Sequence, residues 1–434
     1  MRNYNLLREA DLQGKTVFMR AGFDVPYDLA EGEKPEEDQE KGPWVKVTGD
    51  KAPDDDTQVE MWARVNNMSR IKAVIDSMRH ILREGAALVI AAHQSRPKGK
   101  RVAEMSQKPL VPVIEALLDT KVQFADSCVG DETIKMAGEL KPGEVLLLEN
   151  LRYEKGEKKN DPEFAAKLAE LADIYVNDAF PNCHREHASV VGITEHLPSY
   201  MGIGLQREVE GISAVIEDPK QPITLIVSGA KMETKVPVIE SFLPEADDVI
   251  LGGCIANTFI GAAGGKIGKS KHEPDQFEKA RDIMHASCVD GSAKVHIPVD
   301  ATVAQQPSEE AKTSNVKIDK GVPTRKAIFD IGTETVQSYL EIIRKSGTII
   351  WNGPVGMTEI NQFASGSKAI ADCTVEATKN GAKSLIGGGD TVEFLERFGY
   401  SADLFTHVSM GGGAMLEFTS GNELPALQVL EKKE

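Results

Sequence analysis

The segment DAFPNCHREHAS, residues 178 to 189, sets Asp178, Cys183, His184, Arg185 and His187 within ten positions. Side chains of these types at such spacing admit three chemistries: a metal site, a Cys/His nucleophile pair, or one wall of a cavity for an anion. A second set is cationic. Arg20 (FMRAGFD), Arg70 (SRIKA), Arg96 (HQSRP), Arg152 (LRYE) and Arg185 (CHRE) each stand near the end of an apolar run or at the start of a helical one. A single arginine reads as a solvated side chain. Several that converge would make a fork-shaped trap for carboxylate and phosphate oxygens, with His93 and His184 as donors at its rim.

The second half of the chain carries glycine and lysine where the first carries arginine and histidine. IGGGDT, 386 to 391, follows a strand-like run and opens a helical one, so Gly387, Gly388 and Gly389 would let backbone N–H groups approach an anion. Asp390 suits a bound Mg²⁺ better than direct contact with phosphate. The plain alternative is a tight turn with an Asp cap. MGGGA repeats the design with Gly411, Gly412 and Gly413, and WNGPVGMTE adds Asn352, Gly353 and Glu359, the last able to accept ribose hydroxyls. In SGAKMETK, Lys231 and Lys235 lie four apart and would share a face if a helix begins there. AGGKIGKS, 263 to 270, imitates a phosphate loop, but it follows the helical stretch CIANTFIGAA where a strand would be required.

The elements that must position these residues alternate. Short apolar runs (TVFMR, ALVIAA, VLLLEN, IYVND, ITLIVSG, DVILGG, TIIWNG, SLIGGGD) are separated by helical stripes such as Ile71, Val74, Ile75, Met78, Ile81 and Leu82, which Gly85 closes. This predicts an α/β protein of two Rossmann-like domains, with parallel sheets flanked by helices and ligands at the carboxyl ends of strands. The expected divisions are a first domain over 1–198, a hinge helix over 199–217, a second domain over 218–418 and a tail over 419–434. Residues 30 to 56 hold ten acids and four lysines with little periodicity, which reads as a surface excursion or partly disordered loop within an acidic insertion over about 27–66.

With 434 residues the chain exceeds a single ordinary core. Its net charge of −17 argues against general affinity for nucleic acid or anionic membrane, so an anion site must be a local basic focus. Five scattered cysteines without a CxxC pair suit a reducing compartment, and no apolar run has the length of a signal peptide or a membrane span. A soluble cytoplasmic protein is expected.

Taken in order, FMRAGFDVP, RIKA, HQSRP, LLENLRYE, NDAF, HREHAS, SGAKMETK, WNGPVG, IGGGDT and HVSMGGGA resemble phosphoglycerate kinase over nearly the whole chain. The resemblance implies a reversible transfer of phosphoryl from 1,3-bisphosphoglycerate to MgADP, giving 3-phosphoglycerate and MgATP in glycolysis or gluconeogenesis. It also implies that the two domains close, that the chain end returns to the first domain, and that the protein is a monomer. Carried onto this sequence, it makes Arg70 and Lys231 catalytic and assigns Asp24, Arg70, His93, Arg96, Arg152 and Arg185 to the acid substrate. It assigns Gly229, Lys235, Gly253, Asn352, Glu359, Gly388, Gly389, Asp390 and Thr391 to the nucleotide, Gly411 and Gly412 to a phosphate loop, and Asp390 to the metal.

The family's VDFN stands here as Ala21, Gly22, Phe23 and Asp24. Asp24 is expected either to take over a substrate hydroxyl contact through a shifted loop or to add a negative charge in the Asn position. Those departures motivate two alternatives, a related acyl-phosphate kinase with a shifted acid substrate and a non-catalytic nucleotide-binding paralogue. A nicotinamide oxidoreductase would need GxGxxG after an early strand, which MRAGFD lacks. Of the three readings of DAFPNCHREHAS, the zinc pattern is absent and direct phosphoryl transfer needs no nucleophile, which leaves Arg185 as an anion clamp and His187 as structural.

Overall fold

The computed structural model of the chain describes residues 3–38 and 41–432. The chain forms two compact units, Met1–Val209 with Glu423–Glu434, and Glu210–Asn422. The division falls inside the helix Ile203–Ile216.

The first unit is built on six parallel strands in the spatial order Val122–Ala125, Val145–Leu148, Ala87–Ala91, Thr16–Ala21, Ile174–Asp178 and Ser199–Met201. Alternate side chains of one strand feed two cores: Val17, Met19 and Ala21 join Leu88 and Ile90 on one face, while Phe18 joins Val89 and Ala91 on the other. Covering both faces is why Ala87–Ala91 is buried at every position and reads as a continuous apolar run. The helix Ser69–Arg83 lays Ile71, Val74, Ile75, Met78 and Ile81 on the first core. Gly85, at φ +79°, stops it with the left-handed residue common after a helix.

The second unit repeats the plan with Lys294–His296, Asp248–Leu251, Ile223–Val227, Thr348–Asn352, Lys383–Gly387 and His407–Ser409, again all parallel. Its order reverses between Ile223–Val227 and Thr348–Asn352; that of the first unit reverses between Thr16–Ala21 and Ile174–Asp178. Crevices for ligands open at such reversals, beyond the carboxyl ends of the strands. Beyond Lys294–His296 the chain departs from this plan: Asp300–Ala304 leaves the parallel sheet and pairs antiparallel with Ser314–Lys317 and Ala327–Ile331.

The acidic excursion is ordered, contrary to its composition. Apart from Gln39 and Glu40, which lie outside the described residues, it belongs to an antiparallel wing in which Asp55–Val65 runs between Tyr27–Ala30 and Val45–Ala52. Val47, Met61 and Ala63 form a small core with Ala103, and the Arg64 guanidinium stacks 4.5 Å above the ring of the buried Trp44. Asp28 receives Lys41 at 2.8 Å and Arg64 at 3.0 Å. The charges therefore decorate the outside of a sheet whose inner positions are apolar, which an average over the segment conceals.

Candidate active site

At the reversal point of the first sheet lies a cavity of about 790 Å³. Its wall includes Gly22, Asp24, Arg70, His93, Arg96, Arg152, Asn182, His184, Arg185 and His187, so Asp24, Arg70, His93, Arg96, Arg152 and Arg185 meet in one place. They arrive from several connections: Asp24 just past Thr16–Ala21, Arg70 at the start of Ser69–Arg83, His93 and Arg96 after Ala87–Ala91, Arg152 in the 3-10 turn Leu151–Tyr153, and Arg185 in the loop after Ile174–Asp178. Lys98, Lys155, Lys158 and Lys159 extend the basic rim, while Asp24 and Glu154 are the acids in the wall. A chain of net charge −17 has gathered here the local cationic focus that an anion requires.

Hydrogen bonding fixes the protonation of this site. Arg20, fully buried, donates from Nε to Ser189 Oγ at 3.1 Å and from Nη2 to His93 Nδ1 at 2.9 Å. Because an arginine can only donate, Nδ1 of His93 is the acceptor and Nε2 carries the hydrogen. That Nε2 faces Asp24 Oδ2 at 3.5 Å. Burial pushes the His93 imidazole down to about 4 against the upward pull of Asp24, with the Arg20 and Arg152 charges adding to the fall. His93 is neutral at pH 7 and donates one hydrogen bond to a carboxylate. Burial alone would raise Asp24, but the bonds from His93 and from Ser95 N–H at 2.9 Å, with the Arg70 charge, hold it well below the usual carboxylate range. Arg70 also donates to the carbonyl of Asp24.

Arg152 donates to Ser95 O at 2.8 Å, yet its buried Nε has no acceptor among the described residues. Burial, with Arg20 as an added repulsion, pulls its guanidinium down to about 10. A buried donor without a partner is costly, and a ligand oxygen in the cavity would satisfy this one. Cys183, by contrast, is buried with its thiol pushed up by burial and directed at Ala179 O, 3.7 Å away. It is unsuited to act as a nucleophile.

The reversal point of the second sheet gathers strand-end loops instead of arginines. Gly353, at φ +97°, lets its loop press on the carbonyl of Ser228, where a Cβ would come within 2.2 Å. Gly253 approaches Ser228 Oγ in the same way, at 2.6 Å. Lys235 donates to Asn352 Oδ1, and Nδ2 of Asn352 is buried with no acceptor among the described residues. Burial draws the Lys235 ammonium down to about 8 against the upward pull of Asp390. Gly388 (φ +97°) caps the helix Gly389–Arg397 and brings exposed Asp390 to its first turn. Thr391 is buried, accepting from Gly353 N at 2.8 Å and donating to Gly387 O at 2.9 Å, so its hydroxyl fastens two loops together.

Lys231 and Lys235 do not share a helical face. The helix there is Val236–Phe242, started by Pro237, and 231–235 is a turn closed by Lys235 N on Met232 O at 2.8 Å. Lys231 stands exposed in that turn, and Glu359 is exposed seven residues beyond Asn352. Gly411 and Gly412 follow the adjacent strand His407–Ser409 and lead into Gly413–Thr419. The phosphate-loop imitation at 263–270 follows the helix Gly253–Ala262, and Gly268 packs on the carbonyls of Pro323 and Lys326.

A family model described as phosphoglycerate kinase matches residues 54–422. The chain belongs to the phosphoglycerate kinase family. It is 39% identical over 432 residues to "Phosphoglycerate kinase, cytosolic" of Triticum aestivum, covering 99% of each chain. Among solved structures it is similar to phosphoglycerate kinase from Coxiella burnetii, at 32% identity with a TM-score of 0.77. It is likewise similar to that of Pyrococcus horikoshii OT3, at 29% identity with a TM-score of 0.80. Each covers 98% of both chains.

Against the phosphoglycerate kinase pattern, Gly22 leaves room: a Cβ there would meet Ala179 and Pro181 no closer than 3.6 Å. Asp24 lines the cavity two residues on, so a carboxylate is retained in this wall from a new position. Sequence reasoning grouped Arg20 with the other strand-end arginines and missed that it is sealed in the protein beneath His93. The network behind it, in which Glu157 accepts from Ser189 N at 3.0 Å and Ser189 Oγ at 2.7 Å, was missed as well. The position of Arg20 inside an otherwise apolar strand, TVFMRA, was the available signal.

Proposed function

We propose that the chain transfers phosphoryl reversibly between 1,3-bisphosphoglycerate and ADP, yielding 3-phosphoglycerate and ATP. The observation that carries this reading is the meeting of Asp24, Arg70, His93, Arg96, Arg152 and Arg185 in one cavity of the first unit. Arg96, Arg152 and Arg185 hold phosphate and carboxylate oxygens of the acid by charge-assisted, bidentate donation. Asp24 accepts the substrate hydroxyl. Its carboxylate has about four lone-pair sites, of which Ser95 N–H and His93 use two. Arg70 stabilises charge on the transferring group, and Lys231 does so from the nucleotide side.

On the second unit, Gly229, Lys235, Gly253, Asn352, Gly388, Gly389 and the Gly411–Gly412 loop cradle the nucleotide phosphates, and Glu359 takes the ribose. Thr391 contributes by fixing the loop carrying Gly353. Among the described residues no group of three or more His, Cys, Asp or Glu could cage a metal. The exposed Asp390 at a phosphate-binding helix start does fit Mg²⁺, which takes one or two carboxylates together with substrate phosphates. Bound there, the ion would neutralise charge on the phosphates. In-line transfer needs no protein nucleophile, only positioning, cations around the equatorial oxygens and exclusion of water by closure. We place this activity in the cytoplasm, in a monomer.

A coupled assay tests the reading: 1,3-bisphosphoglycerate and MgADP should give ATP. A folded protein that binds MgADP and forms no ATP would overturn it.

A further inference from the structure

The wing Tyr27–Val65 meets the cavity's wall along one short seam. Asp50 N donates to Arg101 O at 2.8 Å, Asp50 bridges Val102, and Gly49 approaches so closely that a Cβ would lie 2.5 Å from Arg101 O. This seam anchors the far end of the loop 95–100, which carries Arg96 and Lys98 into the cavity wall. Beyond it the turn between Val45–Ala52 and Asp55–Val65 reaches along that loop. Asp54 takes Lys98 Nζ at 2.7 Å, and Asp56 takes Lys100 Nζ. Lys98 itself is bent into the left-handed region, at φ 58°.

Two jobs are thus separated within one insertion. The backbone seam holds the loop in place, and it does not depend on the tip carboxylates. The tip carboxylates set its charge, because a lysine whose ammonium is occupied by Asp54 is withdrawn from any anion that binds in the cavity. The two tip carboxylates also lower the local potential.

We propose that Asp54, supported by Asp56, is a positioning residue that acts as an internal counter-ion for Lys98 and thereby weakens the binding of the acid substrate. The inference rests on the acid-substrate role proposed above for this cavity. The pairs are exposed, so their effect is modest and screened by salt.

The test is steady-state kinetics on the full chain with 3-phosphoglycerate and MgATP. Asp54→Asn/Asp56→Asn should lower KM for 3-phosphoglycerate by about two- to five-fold at low ionic strength. KM for MgATP and the thermal midpoint should not change, and the difference should shrink as salt is raised. Asp54→Glu should behave as wild type, and the effect of the tip substitutions should be clearly smaller in a Lys98→Ala background, where only the change in local potential remains. An unchanged or raised KM for the acid, or a fall that persists undiminished in Lys98→Ala, overturns the proposal. Arg152→Ala in the same assay separates the two levels. If it raises the acid KM while the tip variants do nothing, only the counter-ion role fails; if it leaves that KM untouched, the cavity's role and this inference fail together.

Discussion

Arg20 donates to His93 across 2.9 Å, with both side chains shut away from solvent. The contact sets the histidine's tautomer, so its remaining N–H is aimed at Asp24. Arg20 in turn faces the fully buried Glu157 through Ser189. Replacing Arg20 by Met should leave Glu157 as an uncompensated buried charge and destabilise the protein by roughly 3–5 kcal/mol. Urea unfolding would measure this. The double variant Arg20→Met/Glu157→Gln should recover a large part of the loss, and a single variant as stable as wild type would refute the coupling.

The two buried imidazoles give the fold an acid-side dependence on pH. Burial, with neighbouring guanidinium charges, draws His93 down to about 4 and His187 to about 3, against about 6.5 for an unfolded histidine. At these two side chains the folded state therefore binds fewer protons than the unfolded one below pH 6.5, whereas Asp178 and Asp330, raised by burial to about 7, act in the opposite direction. The contribution of the imidazoles is complete above about pH 6.5 and is lost as pH falls from there towards about 4. Unfolding midpoints collected across that range isolate the share of His93 as a difference: His93→Gln should gain on wild type as pH falls from about 6.5 towards 4, and a constant difference would refute it.

Arg70 donates to the main chain beside Asp24 and lines the same cavity, and the proposed function makes it the cation that meets the charge developing during transfer. Arg70→Ala should reduce kcat by a factor on the order of 10³, as loss of a transition-state arginine does. KM for MgATP should remain within about two-fold, since uniform binding on the nucleotide side is untouched. Coupled assays on both variant and wild type decide this, and an unaltered kcat would remove Arg70 from the chemistry.

Lys235 should make nucleotide affinity sensitive to alkaline pH. Burial lowers its ammonium to about 8, so the free protein loses that charge as pH rises through this value. Titration calorimetry with MgADP should show affinity falling between about pH 7 and 9. Lys235→Arg, which stays charged, should flatten the profile. A wild-type profile that is already flat would show that Lys235 does not meet the phosphates.

The parallel sheets were readable because strands covered on both faces leave unbroken apolar runs, as in Ala87–Ala91 and Val145–Leu148. The arginines of the cavity were readable as a set because each stands near the end of such a run or, for Arg70, at the start of a helix. The wing was not, because its strands are half exposed: Val47, Met61 and Ala63 alternate with Lys, Thr, Trp and Arg, so composition reports charge while period two reports a sheet. A window reading every second residue from Val59 to Val65 would have found it. The anchoring of Thr391 was out of reach, since its two hydroxyl partners, Gly387 and Gly353, meet only through the tertiary fold.

The strap formed by Leu424 to Lys432 has a consequence for how the molecule is made. Asn5 N donates to Leu430 O, Lys432 N to Asn3 O, and Ala426 N to Cys183 O, so the first unit is completed by residues that follow the entire second unit. On a ribosome, the segment up to Val209 emerges with its last partner still some two hundred residues from being translated. The nascent first half must therefore wait, short of its final contacts, while the second folds. Termination within Glu210–Asn422 would leave the second unit incomplete and the first without its strap, whereas termination just after Asn422 would compromise the first alone.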